Sequence, residues 1–283
     1  MPNLSLVFSP GEQNFIDHCE QAETKMVLGY LNHPRYVFRR SAAVVLLVRG
    51  GEEILSNARC LCSNSDFKLR QMGALIIGEI AIENWQLNDV ITQLRHLALT
   101  DSSFRVRAEA MRALGLRCEK YPQLYSSVLP VLEANMTSPF VSVRANIACA
   151  LTRVNDPGAI PILEKLLQDS NLDIRDLTAF AVNMTGLDSK KIRSNLVKML
   201  KEPYYDARCE AITALAIRRD KRVLPALIKE LTGEEVRDSM IQAAADICEA
   251  ELIPILESLL DKYGDDDGLI QDSIDQLKKD SKT

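Results

Sequence analysis

Aromatic residues make up only 5% of the sequence, and Trp85 is its single tryptophan. A base-stacking or base-flipping protein wants aromatic platforms in a cationic groove. With a formal net charge of −5, the chain has no global basic field to draw in a polyanion. Long apolar runs are missing, and no stretch approaches the length of a membrane span. The opening residues, Met1 to Phe8, lack a basic start and are too briefly apolar for a signal peptide. The expectation is a cytoplasmic protein. No Pro/Gly/Ser-rich linker divides the 283 residues, although that length exceeds a usual single domain. Strand-like alternation is absent too, which points to an all-α chain.

Catalytic signatures are equally scarce. The seven cysteines, an odd number, are scattered at helix positions such as Cys118, Cys149, Cys209 and Cys248. They read as free thiols acting as small apolar residues, as in a reducing compartment. Cys60-Leu61-Cys62 has no partner pair at zinc-ligand spacing. There is no Ser-centred elbow, glycine-rich phosphate loop or zinc-protease helix. The sequence therefore predicts no enzyme, no catalytic residue, no metal and no cofactor.

What the chain has instead is a repeat. Ser138 to Ser170 starts with a turn and continues with Val143, Ile147, Leu151 and Val154 as one apolar stripe of a helix. Asn155-Asp156-Pro157-Gly158 breaks it. A second helix follows, with Ile160, Leu163 and Leu167 on one face and Pro161 in its first turn, where a missing N–H costs little. Such a hairpin cannot bury its own apolar face.

Its recurrence is marked by an arginine after a hydrophobic residue near the start of each first helix. These arginines are Arg39, Arg70, Arg107, Arg144, Arg175, Arg208 and Arg237, separated by 31, 37, 37, 31, 33 and 29 residues. Behind Arg144, Arg208 and Arg237, a proline follows 17 positions on, and behind Arg107 it is Pro130, 23 positions on. Three positions before the arginine stand Tyr36, Phe67, Phe104, Val141, Leu172, Tyr205 and Glu234. Two helices per unit at this period mean an α-solenoid, a HEAT-like superhelix. The reading is one solenoid over 1–283. Residues 1–31 form an N-terminal cap with a helix from Gln13 to Leu31. Seven repeats occupy 32–264, and a capping helix and tail take 265–283.

Several side chains are candidates for function. Acidic residues recur beside the arginines (Asp66, Asp101, Asp173, Asp206, Glu235), so the seven form a structural ladder to carbonyls or carboxylates of neighbouring turns, in preference to a phosphate-binding stripe. Trp85, Tyr121 and Tyr125 fall in helix-to-helix connectors, and Tyr204 in a turn between repeats. Each is a candidate partner-binding residue, although connectors of this kind also pack onto the repeat below. Lys190, Lys191 and Arg193, with Lys198 and Lys201, form a basic outer face. With Arg218, Arg219, Lys221 and Arg222 they are the local case for DNA binding. Acidity rises toward the end, where residues 126–283 hold 20 Lys+Arg against 26 Asp+Glu and finish with Asp265, Asp266 and Asp267.

The repeats resemble the short HEAT repeats of phycobilisome lyases. The chain as a whole resembles the YibA-type HEAT-repeat proteins encoded beside Rhs polymorphic toxins. The likeness is carried by Val48-Arg49-Gly50-Gly51, by Gly73 to Ile80, by Arg219-Asp220-Lys221-Arg222-Val223-Leu224, and by Ile253 to Leu256 followed by Ser273 to Lys278. Another HEAT-repeat family, deoxyhypusine hydroxylase, binds iron through His-Glu pairs. None of His18, His33 and His96 is followed by Glu. The YibA-type resemblance implies an immunity protein that binds the C-terminal toxin domain of an Rhs protein. A HEAT-repeat DNA-binding or DNA-repair protein is the alternative.

Overall fold

The structure, a computed structural model, describes residues 9–265 and 268–280. Seventeen α-helices and five single 3-10 turns account for the architecture, with no strand among the described residues. Helices α1 (Pro10–Gln21) and α2 (Thr24–Tyr30) open the chain, and α17 (Leu269–Asp280) closes it. Between them lie seven hairpins. Their first helices are α3 (Tyr36–Arg49), α5 (Phe67–Glu79), α7 (Phe104–Lys120), α9 (Val141–Leu151), α11 (Leu172–Thr185), α13 (Tyr205–Ile217) and α15 (Asp238–Ile247). Their second helices are α4 (Glu52–Leu61), α6 (Leu87–Thr100), α8 (Tyr125–Asn135), α10 (Ile160–Leu166), α12 (Lys190–Met199), α14 (Leu224–Leu231) and α16 (Ile253–Tyr263). The fold is an all-α, HEAT-like solenoid.

Contacts group the chain into two units, 1–154 and 155–283, each considered by itself. In unit 1, first helices pack on first helices (α3 on α5, α5 on α7, α7 on α9), and α6 packs on α8. Unit 2 repeats the scheme, with α11 on α13, α13 on α15, α10 on α12, α14 on α16 and α17 on α15 and α16. The core is a row of small interhelical layers, such as Ala74, Ile77, Ala110, Leu114 and Ile147 in unit 1. Alanine and glycine suit such rows because they let helix axes approach closely. A Cβ on Gly78 would lie 2.4 Å from the Ala113 Cβ, and one on Gly115 would lie 2.5 Å from the Ala150 Cα. Neither glycine can gain a methyl group without moving a helix.

The opening differs from the single helix expected over Gln13 to Leu31. Ser9 and Glu12 form a reciprocal capping box, and Pro10 takes the first helical position, so the helix starts earlier. It then breaks at Ala22 and Glu23, both extended. The break is held by Arg49, whose guanidinium donates to the carbonyls of Cys19, Glu20 and Ala22 at 2.7, 3.1 and 2.6 Å. Phe15 packs edge-on to Tyr30 and Phe38 to fix the cap.

Pro161, Pro225 and Pro254 stand at the second position of their helices. Pro130 lies inside α8, because the long connector of repeat 3 places a 3-10 turn at Pro122–Leu124 and starts the helix at Tyr125.

No disulfide joins the seven cysteines. Burial pushes the Cys62 and Cys118 thiols up to about 12, so they behave as apolar packing groups.

Candidate functional site

The arginines that mark the repeat act first on their own turns. Arg39 donates through Nη1 to the carbonyls of His33 and Pro34, six and five residues back, at 2.8 and 3.0 Å. The same pair of bonds is made by Arg70, Arg107, Arg175 and Arg208, and Arg144 makes the six-back bond to Ser138 at 2.6 Å. Each guanidinium thereby ties an inter-repeat turn to the helix it precedes.

Three of them also bind a carboxylate at the C-terminal end of their own hairpin's second helix. Arg70 grips Asp101 with two bonds of 2.7 and 2.9 Å, and Arg175 and Arg208 pair with Glu202 and Glu230. Burial works to raise Asp101, but the Arg70 bonds and the Ser103 N–H outweigh it and hold the carboxyl below the usual range. Arg237 departs from the pattern. Its helix starts only at Asp238, so it sits in extended backbone, pairs with Asp206 at 2.6 Å and lies over the Tyr205 ring at 4.2 Å.

A second set of arginines went unread in the sequence. Arg117, 3% exposed, donates to the carbonyls of Ile77 and Ile80 at 2.6 and 2.8 Å, which caps the C-terminal end of α5. Arg218 caps α11 through Val182 and Leu187, and Arg49 caps α1. All three stand ten residues after a marker arginine, a spacing that would have identified them.

The first helices also line two open clefts, one in each unit. In unit 1, a groove of about 820 Å³ runs along α3, α5, α7 and α9. Tyr36, Phe67 and Phe104 line it together with Arg40, Lys68, Arg105, Arg112 and Arg153. Arg112 is bound to Glu79 and Glu109, and Arg153 to Glu119. Phe104 stacks flat on Phe140, centroids 4.4 Å apart, and the Arg105 guanidinium lies over Phe67 and Phe104 at 5.7 and 5.2 Å.

In unit 2, a cleft of about 470 Å³ is lined by Asp176, Asp206, Glu210, Asn183, Phe180 and Arg237. Burial pushes the Asp176 carboxyl up, and Asp206 and Asp173 add to the shift. Burial also raises Glu210, against the bond it accepts from the Asn183 amide at 2.7 Å. Asp206 is held low by hydrogen bonds from Arg237 and Tyr204. Among the described residues no group of His, Cys, Asp and Glu could hold a metal ion. No helix of the described residues is long and apolar enough to cross a membrane.

The expected partner-binding residues divide. Trp85 stands out at 72% exposed, in the 3-10 turn Asn84–Gln86. Its neighbour Gln86 is buried and donates to Glu52 at 2.6 Å, which pins the connector and turns the indole outward. Tyr204 is exposed.

Tyr121 is not an exposed anchor. At 9% exposed it caps the end of α7 as a buried ring, with the Lys120 ammonium over it at 5.5 Å. Tyr125 is half-buried, and its hydroxyl donates to the Arg153 carbonyl at 3.3 Å, joining two repeats.

The basic outer face is partly neutralised. Arg193 is bound by Asp188, Lys191 pairs with Glu164 at 3.1 Å, Lys221 with Glu249 and Arg222 with Asp220, while Lys190, Lys198 and Lys201 stay exposed. Arg218 is turned inward as a helix cap and leaves the local case for DNA binding. Asp265 accepts the Ile270 and Gln271 N–H groups at 3.0 and 2.7 Å and so starts α17, a structural duty. Asp266 and Asp267 lie outside the described residues.

Comparison with known proteins agrees with this architecture. Residues 143–169, the α9–α10 hairpin, match the PBS lyase HEAT-like repeat family. Protein YibA of Escherichia coli (strain K12) is 34% identical over 268 residues, covering 95% of both chains. The crystal structure of Escherichia coli YibA superposes with a TM-score of 0.86 at 33% identity, over 96% of this chain and 98% of the other. An engineered protein shares the fold with a TM-score of 0.60 at 18% identity, over 96% of this chain and 84% of its own. Over nearly its whole length, in sequence and in fold, this chain belongs to the YibA family of HEAT-like repeat proteins.

Proposed function

We infer that the chain is a non-enzymatic scaffold that binds a protein, and that its partner is the C-terminal toxin domain of an Rhs-type protein, which it neutralises in the cytoplasm by covering it. The observation that carries this reading is the row of charged side chains two residues before the marker arginines. It consists of Lys68 and Arg105 in unit 1 and of Asp173, Asp206 and Glu235 in unit 2. Lys68, Arg105, Asp173 and Asp206 stand in the first turns of packed helices and Glu235 in the turn before α15, so little ordering is left to do on association. The acidic row suits a cationic toxin domain such as a nuclease and would speed encounter with it. The identity of the partner rests on the YibA-type resemblance.

The test is co-expression of an Rhs C-terminal domain from the same genome with and without this chain. Restored growth together with a stable one-to-one complex is expected, and Asp206→Lys with Glu235→Lys should slow association. Growth arrest that persists despite soluble expression of the chain would overturn the reading.

A further inference from the structure

We propose that the first-helix groove of unit 1 receives an acidic, extended segment of the protein partner, its carboxylates held by Lys68 and Arg105. The proposal rests on the protein-partner reading above and adds the chemistry of the segment. Four cations of the groove form no ion pair among the described residues; Arg39 is buried on turn carbonyls, which leaves Arg40, Lys68 and Arg105, whereas Arg112 and Arg153 are already bound by glutamates. Arg105 is also fixed in direction, since its guanidinium rests on Phe67 and Phe104. A guanidinium lying on a ring keeps its planar edge free for the two oxygens of a carboxylate.

The same stacking disfavours nucleic acid. Phe104 and Phe140 stack on each other, Arg107 lies over Phe140, and Arg39 lies over Tyr36, so ring faces that a base would stack on are already engaged.

Geometry sets the form of the ligand. Lys68 and Arg105 occupy equivalent positions on successive first helices, and such helices pack roughly 8–10 Å apart. Side chains at i and i+2 of an extended segment project from one face about 7 Å apart. A Glu-x-Glu segment can therefore reach both cations, and 820 Å³ accommodates several residues.

Fluorescence anisotropy on the full chain tests this with a labelled peptide of alternating Glu and Ser, about ten residues long. An alternating Lys and Ser peptide and a thymidine oligonucleotide of equal length serve as comparisons. The acidic peptide should bind saturably and the basic one should not. Lys68→Glu with Arg105→Glu should weaken binding by about tenfold or more, and Lys229→Glu, on an exposed face of α14 in unit 2, should leave it unchanged. Should the double charge reversal fail to fold by circular dichroism, Lys68→Gln with Arg105→Gln carries the test, with a several-fold loss expected. Binding that survives these changes, no saturable binding at all, or tighter binding of the oligonucleotide would overturn the proposal. No toxin is present in the assay, so it stands or falls apart from the growth test.

Discussion

In repeats 2 and 3 the residue two places before the marker arginine is Lys68 or Arg105, and in repeats 5, 6 and 7 it is Asp173, Asp206 or Glu235. The same contrast runs through the units. Residues 1–154 carry 16 Lys+Arg and 14 Asp+Glu, while residues 155–283 carry 18 and 25. Beneath that difference the frame is shared, since Arg70 and Arg208 bond turn carbonyls in the same way and Arg117 and Arg218 cap the preceding first helix in the same way. Internal arginines build the repeat, and residues free of that duty set the polarity of its face. Packing offers a second contrast. Eight residues after the marker arginine stand Gly78 and Gly115 in unit 1, but Asn183, Ala216 and Ala245 in unit 2.

The largest effects should show where the two units are alike. Arg117→Met leaves the Ile77 and Ile80 carbonyls without a donor, and Arg218→Met does the same to Leu187 and takes one of two donors from Val182. Each variant should lose about 3 kcal/mol in urea unfolding. A large loss for only one of them would show that the frames differ.

Next comes the packing contrast. Gly115→Ala forces a Cβ against the Ala150 backbone and should cost roughly 1–3 kcal/mol. Ala216→Gly in unit 2 should cost about 1 kcal/mol through helix propensity. A stabilising Gly115→Ala would refute the close approach.

The acidic cleft gives a pH-dependent effect. The folded-state pKa of Asp176 is raised by burial and by Asp206 and Asp173, and its Oδ1 is buried without a hydrogen-bond partner. Stability tied to that group is full below the ordinary aspartate range and is lost as pH rises through the raised value. Asp176→Asn should accordingly raise the melting temperature at neutral pH and leave it unchanged below about pH 4. An unchanged or lowered melting temperature at neutral pH would argue against a disfavoured charge in the cleft.

The smallest effect on stability belongs to Trp85→Ala, within about 0.5 kcal/mol, since the ring is in solvent. Its effect on partner affinity should be far larger, about 2 kcal/mol if the indole is an anchor.

Much of this was legible in the sequence. The marker arginines, the helix-breaking turns and the stripe of Val143, Ile147 and Leu151 set the number and phase of the hairpins, because each records a local requirement that recurs in register. The fates of Tyr121 and Trp85 were not legible. Both sit in helix-to-helix connectors, and only the Gln86–Glu52 bond beside Trp85 and the burial of Tyr121 at the end of α7 separate them. Arg49, Arg117 and Arg218 escaped notice because they serve three of the seven repeats, and their partners are backbone carbonyls of the preceding first helix. The break after Gln21 was hidden for the same reason, as the residue that holds it lies 27 positions downstream of Ala22. The reversal of charge before the marker arginine was present in the sequence. It shows only when equivalent positions are set side by side.

The most direct measurement is a pull-down from the native host with this chain as bait, followed by mass spectrometry of the complex. The account predicts one protein at near-equal amounts, an Rhs C-terminal fragment, that is retained by wild type and weakened by Trp85→Ala and by charge reversal at Lys68 and Arg105. Recovery of DNA-associated proteins alone, with salt-sensitive binding of duplex DNA by the purified chain, would contradict it.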